Sequence, residues 1–312
     1  MAIRALRSSP LFNVLMFSAF WAFQIMTAKL GFTAGAMVLP FQIVMLAAAM
    51  GTVSVLILHS AGRDLILLLK KHPDIFWRLF LANSLQAGLG TFLSIIGIAM
   101  TDAINAGFLV KLATVTTIFF AWLLLNEKLS KLKISVMFIM LLGAYLLTTK
   151  GQSLLPRIGD LFILGACVCW SLGNVMVRKI LRERSVQADV VTMQKPFASL
   201  VIFLIIAAIT FFFPEISGSL DNSLDCCTFP AEYAPYALGS GFFLGIAWIY
   251  LYRTLHIATA SYMTLMSMAT PIIVSVLAIV LLNEQLAWIQ IIGAGMIILA
   301  GVVIYRSDLA DG

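Results

Sequence analysis

Charge is what this sequence has least of. Only 11% of its 312 residues are Asp, Glu, Lys or Arg, where a soluble chain carries about 25%, and 62% are hydrophobic. With a mean hydropathy of +1.03, the few polar residues could not cover a water-facing surface, so a soluble fold is excluded. Cysteine and histidine are as sparse. Cys167 and Cys169 lie in an apolar run and Cys226 and Cys227 are adjacent in a polar loop, with no CxxC and no Cys/His ligand spacing. His59, His72 and His256 each sit near the end of an apolar stretch. A zinc site, a disulfide framework and Ser/His/Asp chemistry are all unsupported, and no metal or cofactor is expected. The chain also lacks GxxxxGK[ST], and indeed any Gly-Lys pair, which removes P-loop ATP binding. The net charge of +6 comes with no basic stripe interleaved with aromatics, so nucleic acid is not an expected partner.

What the chain does have is apolar runs of spanning length. A transmembrane helix needs about 20 mostly apolar residues. Ten such intervals are bounded by charges: Arg7 to Lys29, Lys29 to Arg63, Arg78 to Asp102, Asp102 to Glu127, Lys133 to Lys150, Asp160 to Arg178, Lys195 to Glu215, Glu232 to Arg253, Arg253 to Glu284, and Glu284 to Arg306. The fourth holds one internal charge, Lys111, and the seventh is expected to begin before Lys195. Arg4 and Arg7 before an apolar run resemble a signal peptide, but the run reaches Lys29 without a small-residue cleavage site, so we read it as an uncleaved first span.

With the N-terminus cytoplasmic, the inside segments collect Arg4, Arg7, Arg63, Lys70, Lys71, Arg78, Lys128, Lys131, Lys133, Arg178, Lys179, Arg182, Arg184, Arg253 and Arg306. The outside ones hold only Lys29, Lys150 and Arg157. The longest outside loop, Pro214 to Pro235, contains Glu215, Asp221, Asp225 and Glu232 and no basic residue. This asymmetry predicts ten spans with both termini cytoplasmic, in the cell membrane.

The two halves are alike. Phe119 to Tyr145 aligns with Val276 to Val302 at a spacing of 157, placing Asn126-Glu127 over Asn283-Glu284 and Leu129 over Leu286. Trp21 and Lys29 align with Trp170 and Arg178 at an offset of 149. Each half is a five-helix unit, and because five is odd the second must enter the membrane from the opposite side. The predicted fold is therefore an all-α integral membrane protein of ten transmembrane helices in two inverted five-helix repeats, 11–149 and 157–306. Such repeats recur in secondary transporters.

These residues resemble EamA-type domains of the drug/metabolite transporter superfamily. The match rests on Trp21 to Lys29 and Trp170 to Arg178, Asn-Glu-x-Leu at 126–129 and 283–286, Gly143-Ala144 and Ala300-Gly301, and Pro271, and it covers nearly all of 11–306. The resemblance implies a two-fold pseudosymmetric bundle whose central cavity is lined mainly by helices 1, 3, 4, 6, 8 and 9. The chain departs from the family where Thr114 stands at a position often Pro, and Gln42 at one often Arg. Sugar-phosphate and nucleotide-sugar branches often carry a Lys near the position of Lys111.

Lys111 is the sharpest single feature. It lies nine residues into the fourth span, near mid-bilayer, where a cation costs roughly 2.5 to 3.5 kcal/mol. No Asp or Glu lies at similar depth, and Gly107, Lys111 and Thr114 share an i, i+4, i+7 stripe. Lys111 either faces a cavity and meets a carboxylate- or phosphate-bearing ligand, or bonds backbone carbonyls at a kink. The equivalent second-half position is Met268. Lys195 sits about ten residues beyond Arg182 and Arg184, where snorkelling to the cytoplasmic interface competes with a role in the site. Trp21 with Gln24, and Trp170 with Asn174, each offer an aromatic wall beside a hydrogen-bonding group. Gln86 and Tyr252 complete the candidate substrate-binding set. Glu127 and Glu284 are expected to complement the dipole of the helix that follows each.

The expected function is a secondary transporter, exporter or exchanger, of a small anionic metabolite; a sugar-phosphate or nucleotide-sugar antiporter is the alternative within the superfamily. Expected partners are the small-molecule substrate and the lipid bilayer, with a homodimer as a further option. A non-transporting scaffold or channel is the rival class, although no pore loop or charged ring is present. An intramembrane enzyme would need paired acids or a nucleophile with a base inside the spans, and neither occurs.

Overall fold

The computed structural model describes residues 9–101, 103–184, 186–213, 229–282 and 285–311. Arg4, Arg7, Asp102, Glu215, Asp221, Asp225, Cys226, Cys227, Asn283 and Glu284, all used above, lie outside the described residues.

Ten helices among the described residues are long and apolar enough to cross a membrane. Helix α1 spans Pro10–Thr33, opened by Ser9, whose side chain accepts from the Phe12 amide, and by Pro10 in the first turn. Helix α2 spans Val38–Lys71. At 1.5 Å per residue its 34 residues cover about 51 Å, well beyond a hydrocarbon core of about 30 Å. It therefore does not stop at Arg63, where the charge-free interval ends, but runs on into the polar zone, and Lys70 and Lys71 complement its C-terminal dipole. Helix α3 has three parts, Pro73–Asn83, a π-helical turn at Ser84–Gly90, and Thr91–Ala99. Helix α4 runs Ala103–Leu109, a 3-10 turn Val110–Leu112, then Ala113–Leu125. Helices α5 (Lys131–Thr149), α6 (Ile158–Arg184), α7 (Ala188–Phe212) and α8 (Ala234–Ile257) follow. Helix α9 runs Ala260–Met266, a 3-10 turn Ser267–Ala269, then Thr270–Leu282, and α10 is Trp288–Asp311.

The packing obeys the symmetry that the halves demand. Shifting every helix by five exchanges α1 on α8 with α6 on α3, α4 on α6 with α9 on α1, and α3 on α7 with α8 on α2. The pairs α2 with α7, α4 with α9 and α5 with α10 map onto themselves, as they must across a two-fold axis. The 3-10 breaks of α4 and α9 also coincide at the 157-residue offset.

Large apolar side chains face outward, and polar ones are held inside, among a core that is otherwise apolar. Val55 is 85% exposed and Leu299 70%, while Asn83 and Gln194 are buried. That inversion suits a lipid solvent, in which every polar group must find an internal partner. Because lipid supplies little hydrophobic drive between helices, close backbone approach matters more. In the α5–α10 pair, a Cβ on Gly143 would come within 2.7 Å of the Gly293 carbonyl oxygen.

Candidate functional site

A cavity of about 320 Å³ occupies the middle of the bundle. Every helix except α5 and α10 lines it. The expected helices 1, 3, 4, 6, 8 and 9 are there, and so are α2, through Gln42, Met45 and Leu46, and α7, through Lys195 and Phe203. The added pair, like α4 and α9, packs together across the two-fold axis.

The break in α4 places Lys111 at the wall. Its 3-10 turn re-phases the helix, so Gly107 does not share the stripe expected of it; a Cβ there would meet Thr148 of α5, while Lys111 and Thr114 face the cavity. In α9 the matching break precedes Pro271, which cannot donate to the Ser267 carbonyl. Helix α4 keeps the break with Thr114 at that position, and side chains of α6 brace it. Ser171 Oγ donates to the Ala113 carbonyl at 2.9 Å, and Cys167 Sγ to the Leu109 carbonyl at 3.4 Å. Thr117 donates to Ser171 Oγ at 2.8 Å, and the Thr116 hydroxyl lies 2.6 Å from it.

Lys111 is half-buried on this turn, and no hydrogen bond to its Nζ forms among the described residues. No carbonyl holds it, so the kink-bonded alternative does not describe it. No Asp or Glu lines the cavity among the described residues.

Lys195 does not snorkel. It is 2% exposed, and its Nζ donates to Gln86 Oε1 at 2.9 Å while lying 4.9 Å from the centroids of both Trp248 and Tyr252. The packing of α7 against α3 turns it inward, where ring faces complement an ammonium. Gln86, on the π-helical turn of α3, donates from Nε2 to Asn174 Oδ1 at 2.6 Å. A second chain lies behind. Tyr252 donates to Asn83 Oδ1 at 2.7 Å, Asn83 to Gln194 Oε1 at 3.3 Å, and Gln194 to the Phe76 carbonyl at 2.9 Å.

Of the nine residues expected in the site, Trp21, Gln24, Gln86, Lys111, Thr114, Trp170, Asn174 and Lys195 line one cavity. Tyr252 is the correction. It is fully buried behind the wall, because its hydroxyl is committed to Asn83 and Gln86. Gln24 lines the cavity but spends its amide on Ser240 Oγ at 3.2 Å, joining α1 to α8. Trp170 is held against α3, where a Cβ on Gly90 would meet its ring at 2.7 Å. Sequence reasoning missed Trp248, Asn83 and Gln194, and passed over Gln42 except as a departure. Gln42 lines the cavity with its Oε1 buried and without a hydrogen-bond partner among the described residues. A polar or aromatic residue in mid-span was the available signal for each.

Glu127 also behaves differently from expectation. Ser130 caps α5 by accepting from the Lys133 amide, and Asn126 in the left-handed region (φ 53°) turns Glu127 away from that helix. Its carboxylate instead accepts from the Ala260 amide at 2.9 Å, the Ser261 amide at 3.2 Å and the Ser261 hydroxyl at 2.6 Å. It thus caps α9, in the other repeat. At the same end, Arg178 donates to the Leu255 and His256 carbonyls at 2.6 and 2.9 Å, and Arg182 to the Leu125 carbonyl at 3.4 Å. Arg253 holds Asp189 with two bonds, at 3.0 and 3.1 Å.

Comparison with known proteins agrees with this architecture. A solved crystal structure only 17% identical superposes with a TM-score of 0.71, covering 95% of this chain and 96% of that one, which is a likeness of fold. An uncharacterized transporter of Methanothermobacter thermautotrophicus is 25% identical over 234 residues, 72% of this chain. The alignment spans 63% of that relative, less than two thirds of its length. The sequence pattern of the EamA-like transporter family matches twice, at residues 8–149 and 157–306. With both halves matched and ten apolar helices, the chain is a multi-pass membrane protein and belongs to the EamA-like transporter family.

Proposed function

We propose that the protein is a secondary transporter, exporter or exchanger, of a small organic anion with a carboxylate or phosphate group, bound at Lys111. The observation that carries this reading is the state of Lys111, a deep, cavity-lining ammonium with neither carboxylate nor carbonyl to answer it among the described residues. Such a group has three donors and no acceptor, so an anion is its natural complement. Trp21, Trp170 and Trp248 supply flat apolar walls for the body of the ligand. A sugar phosphate falls within this class.

The basic loops face the cytoplasm, so both termini do as well. Two inverted repeats around one cavity support alternating access, in which one repeat rocks against the other. Glu127, Arg178 and Arg182 then act as the cytoplasmic clasp, because their bonds cross between α4, α6, α8 and α9. With no carboxylate in the cavity among the described residues, a carboxylate proton relay has no carrier there, which favours exchange or gradient-driven efflux.

Counterflow into proteoliposomes tests the reading. Benzoate and phenyl phosphate should exchange above protein-free controls, and Lys111→Ala should abolish that exchange. Equal exchange by Lys111→Ala would refute the assignment of the anion to this residue.

A further inference from the structure

We infer that Lys195 is a positioning residue: through Gln86 it fixes the carboxamide of Asn174 so that Asn174 offers N–H donors to the cavity, giving the second repeat its own grip on the anion that Lys111 meets from the first. The inference rests on the anionic reading above and adds how the opposite wall recognises the same group.

The orientation follows from counting donors. As an ammonium over the Trp248 and Tyr252 rings, Lys195 has only donors, so the Gln86 atom 2.9 Å away must be the carbonyl oxygen. Gln86 Nε2 must then point to Asn174, 2.6 Å away, and only Oδ1 of Asn174 can accept from it. That leaves Asn174 Nδ2 with no hydrogen bond among the described residues, on a side chain that lines the cavity.

The neighbouring chain does not disturb this order. It ends on the Phe76 carbonyl, which only accepts, so Gln194 and Asn83 are oriented in turn and Asn83 presents Oδ1 to Tyr252 at 2.7 Å. Tyr252 has one proton and spends it on Asn83, so its longer 3.2 Å contact to Gln86 Oε1 brings no second one and the orientation of Gln86 rests on Lys195. The three links come from α7, α3 and α6, so a side chain in one helix sets the polarity that another shows to the ligand. A carboxamide free to turn would offer oxygen as readily as nitrogen and would repel an anion half the time.

The test is a double-mutant cycle on the full-length protein, read as dissociation constants for benzoate and for its neutral analogue benzamide. Lys195→Met and Asn174→Ala should each weaken benzoate binding roughly tenfold, and the double variant no further than either alone. Additive losses, or an unchanged benzoate constant in Lys195→Met, would overturn the proposal. If Lys195→Met does not fold, Gln86→Glu takes its place. A carboxylate only accepts, so Asn174 must turn its nitrogen toward it and present oxygen to the cavity, and preference should shift from benzoate toward benzamide. A merely structural role would weaken both ligands alike, and that result also overturns the positioning role.

Failure of the anionic reading is separable. If wild type binds neither benzoate nor phenyl phosphate, that reading falls, and the positioning role is judged by exchange of isotope-labelled side-chain amides. Asn174 amide protons should exchange faster than those of Gln86, and Lys195→Met should remove the difference. An unchanged difference refutes the role of Lys195.

Discussion

Removing the Glu127 carboxylate tests the clasp between the repeats. It accepts three hydrogen bonds at the first turn of α9, two from backbone amides that no carbonyl of that helix can reach. Bonds to a charged acceptor contribute about 1.5 to 3 kcal/mol each, and a charge at a partly buried helix N-terminus up to about 2 kcal/mol. The two overlap, water answers part of the loss, and Thr259 still caps Tyr262, so Glu127→Ala should cost the clasped state about 2 to 3 kcal/mol. If the bonds exist only while the α4–α5 turn rests on α9, the population shifts toward the opened form by roughly 30- to 160-fold. Thr264→Cys, on the cavity wall four residues beyond Ala260, is a suitable reporter in a Cys167→Ser, Cys169→Ser background, since a serine hydroxyl in place of the Cys167 thiol keeps a donor for the Leu109 carbonyl. Its labelling by a membrane-impermeant maleimide from the side of the basic loops should rise by at least tenfold, and Glu127→Gln should fall between, having one acceptor where two are needed. Unchanged labelling with intact folding would refute the clasp.

Four further outcomes follow from the helix breaks, a close approach and an ion pair. Ser171→Ala leaves the Ala113 carbonyl only the longer bond from Thr116 and takes the acceptor from Thr117, and should cost about 1 to 3 kcal/mol in thermal unfolding in detergent, whereas Thr114→Pro should change stability by no more than about 1 kcal/mol, because α9 already carries Pro271 in the same geometry. Gly173→Ala should destabilise by about 1 to 3 kcal/mol in the same assay, because its Cβ would lie 2.7 Å from the Ala82 carbonyl oxygen and 2.6 Å from Gln86 Cβ. Arg253→Ala should cost under about 1 kcal/mol, since the side chains of Arg253 and Asp189 are 35% and 20% exposed and water screens the pair.

The breaks in α4 and α9 mark where reading along the chain stops being enough. Pro271 announces one of them, but its partner carries Thr114, and nothing local to α4 says that Cys167 and Ser171, more than 50 residues on, will answer the exposed carbonyls. Lys111 is legible because a charge deep in an apolar run stands out in one dimension. Lys195 is not, because counting from Arg184 measures depth and says nothing of rotation, and rotation puts it under Gln86. Glu127 reads as a helix cap, but of the wrong helix, since sequence neighbours suggest α5 and the left-handed turn at Asn126 aims it at α9.

By itself the sequence determined the solvent, the ten spans, the duplication and the opposed sense of the halves. Hydropathy, charge placement and repeat spacing are properties of a line, and the thickness of a bilayer converts them into helices. Only the tertiary structure decided which side chains meet. It gathered eight of the nine expected residues around one cavity, sent Tyr252 behind its wall, and joined Lys195, Gln86 and Asn174 across three helices. Those pairings depend on how each helix is turned about its own axis, and in a bundle surrounded by lipid that turn is settled by which donor finds which acceptor.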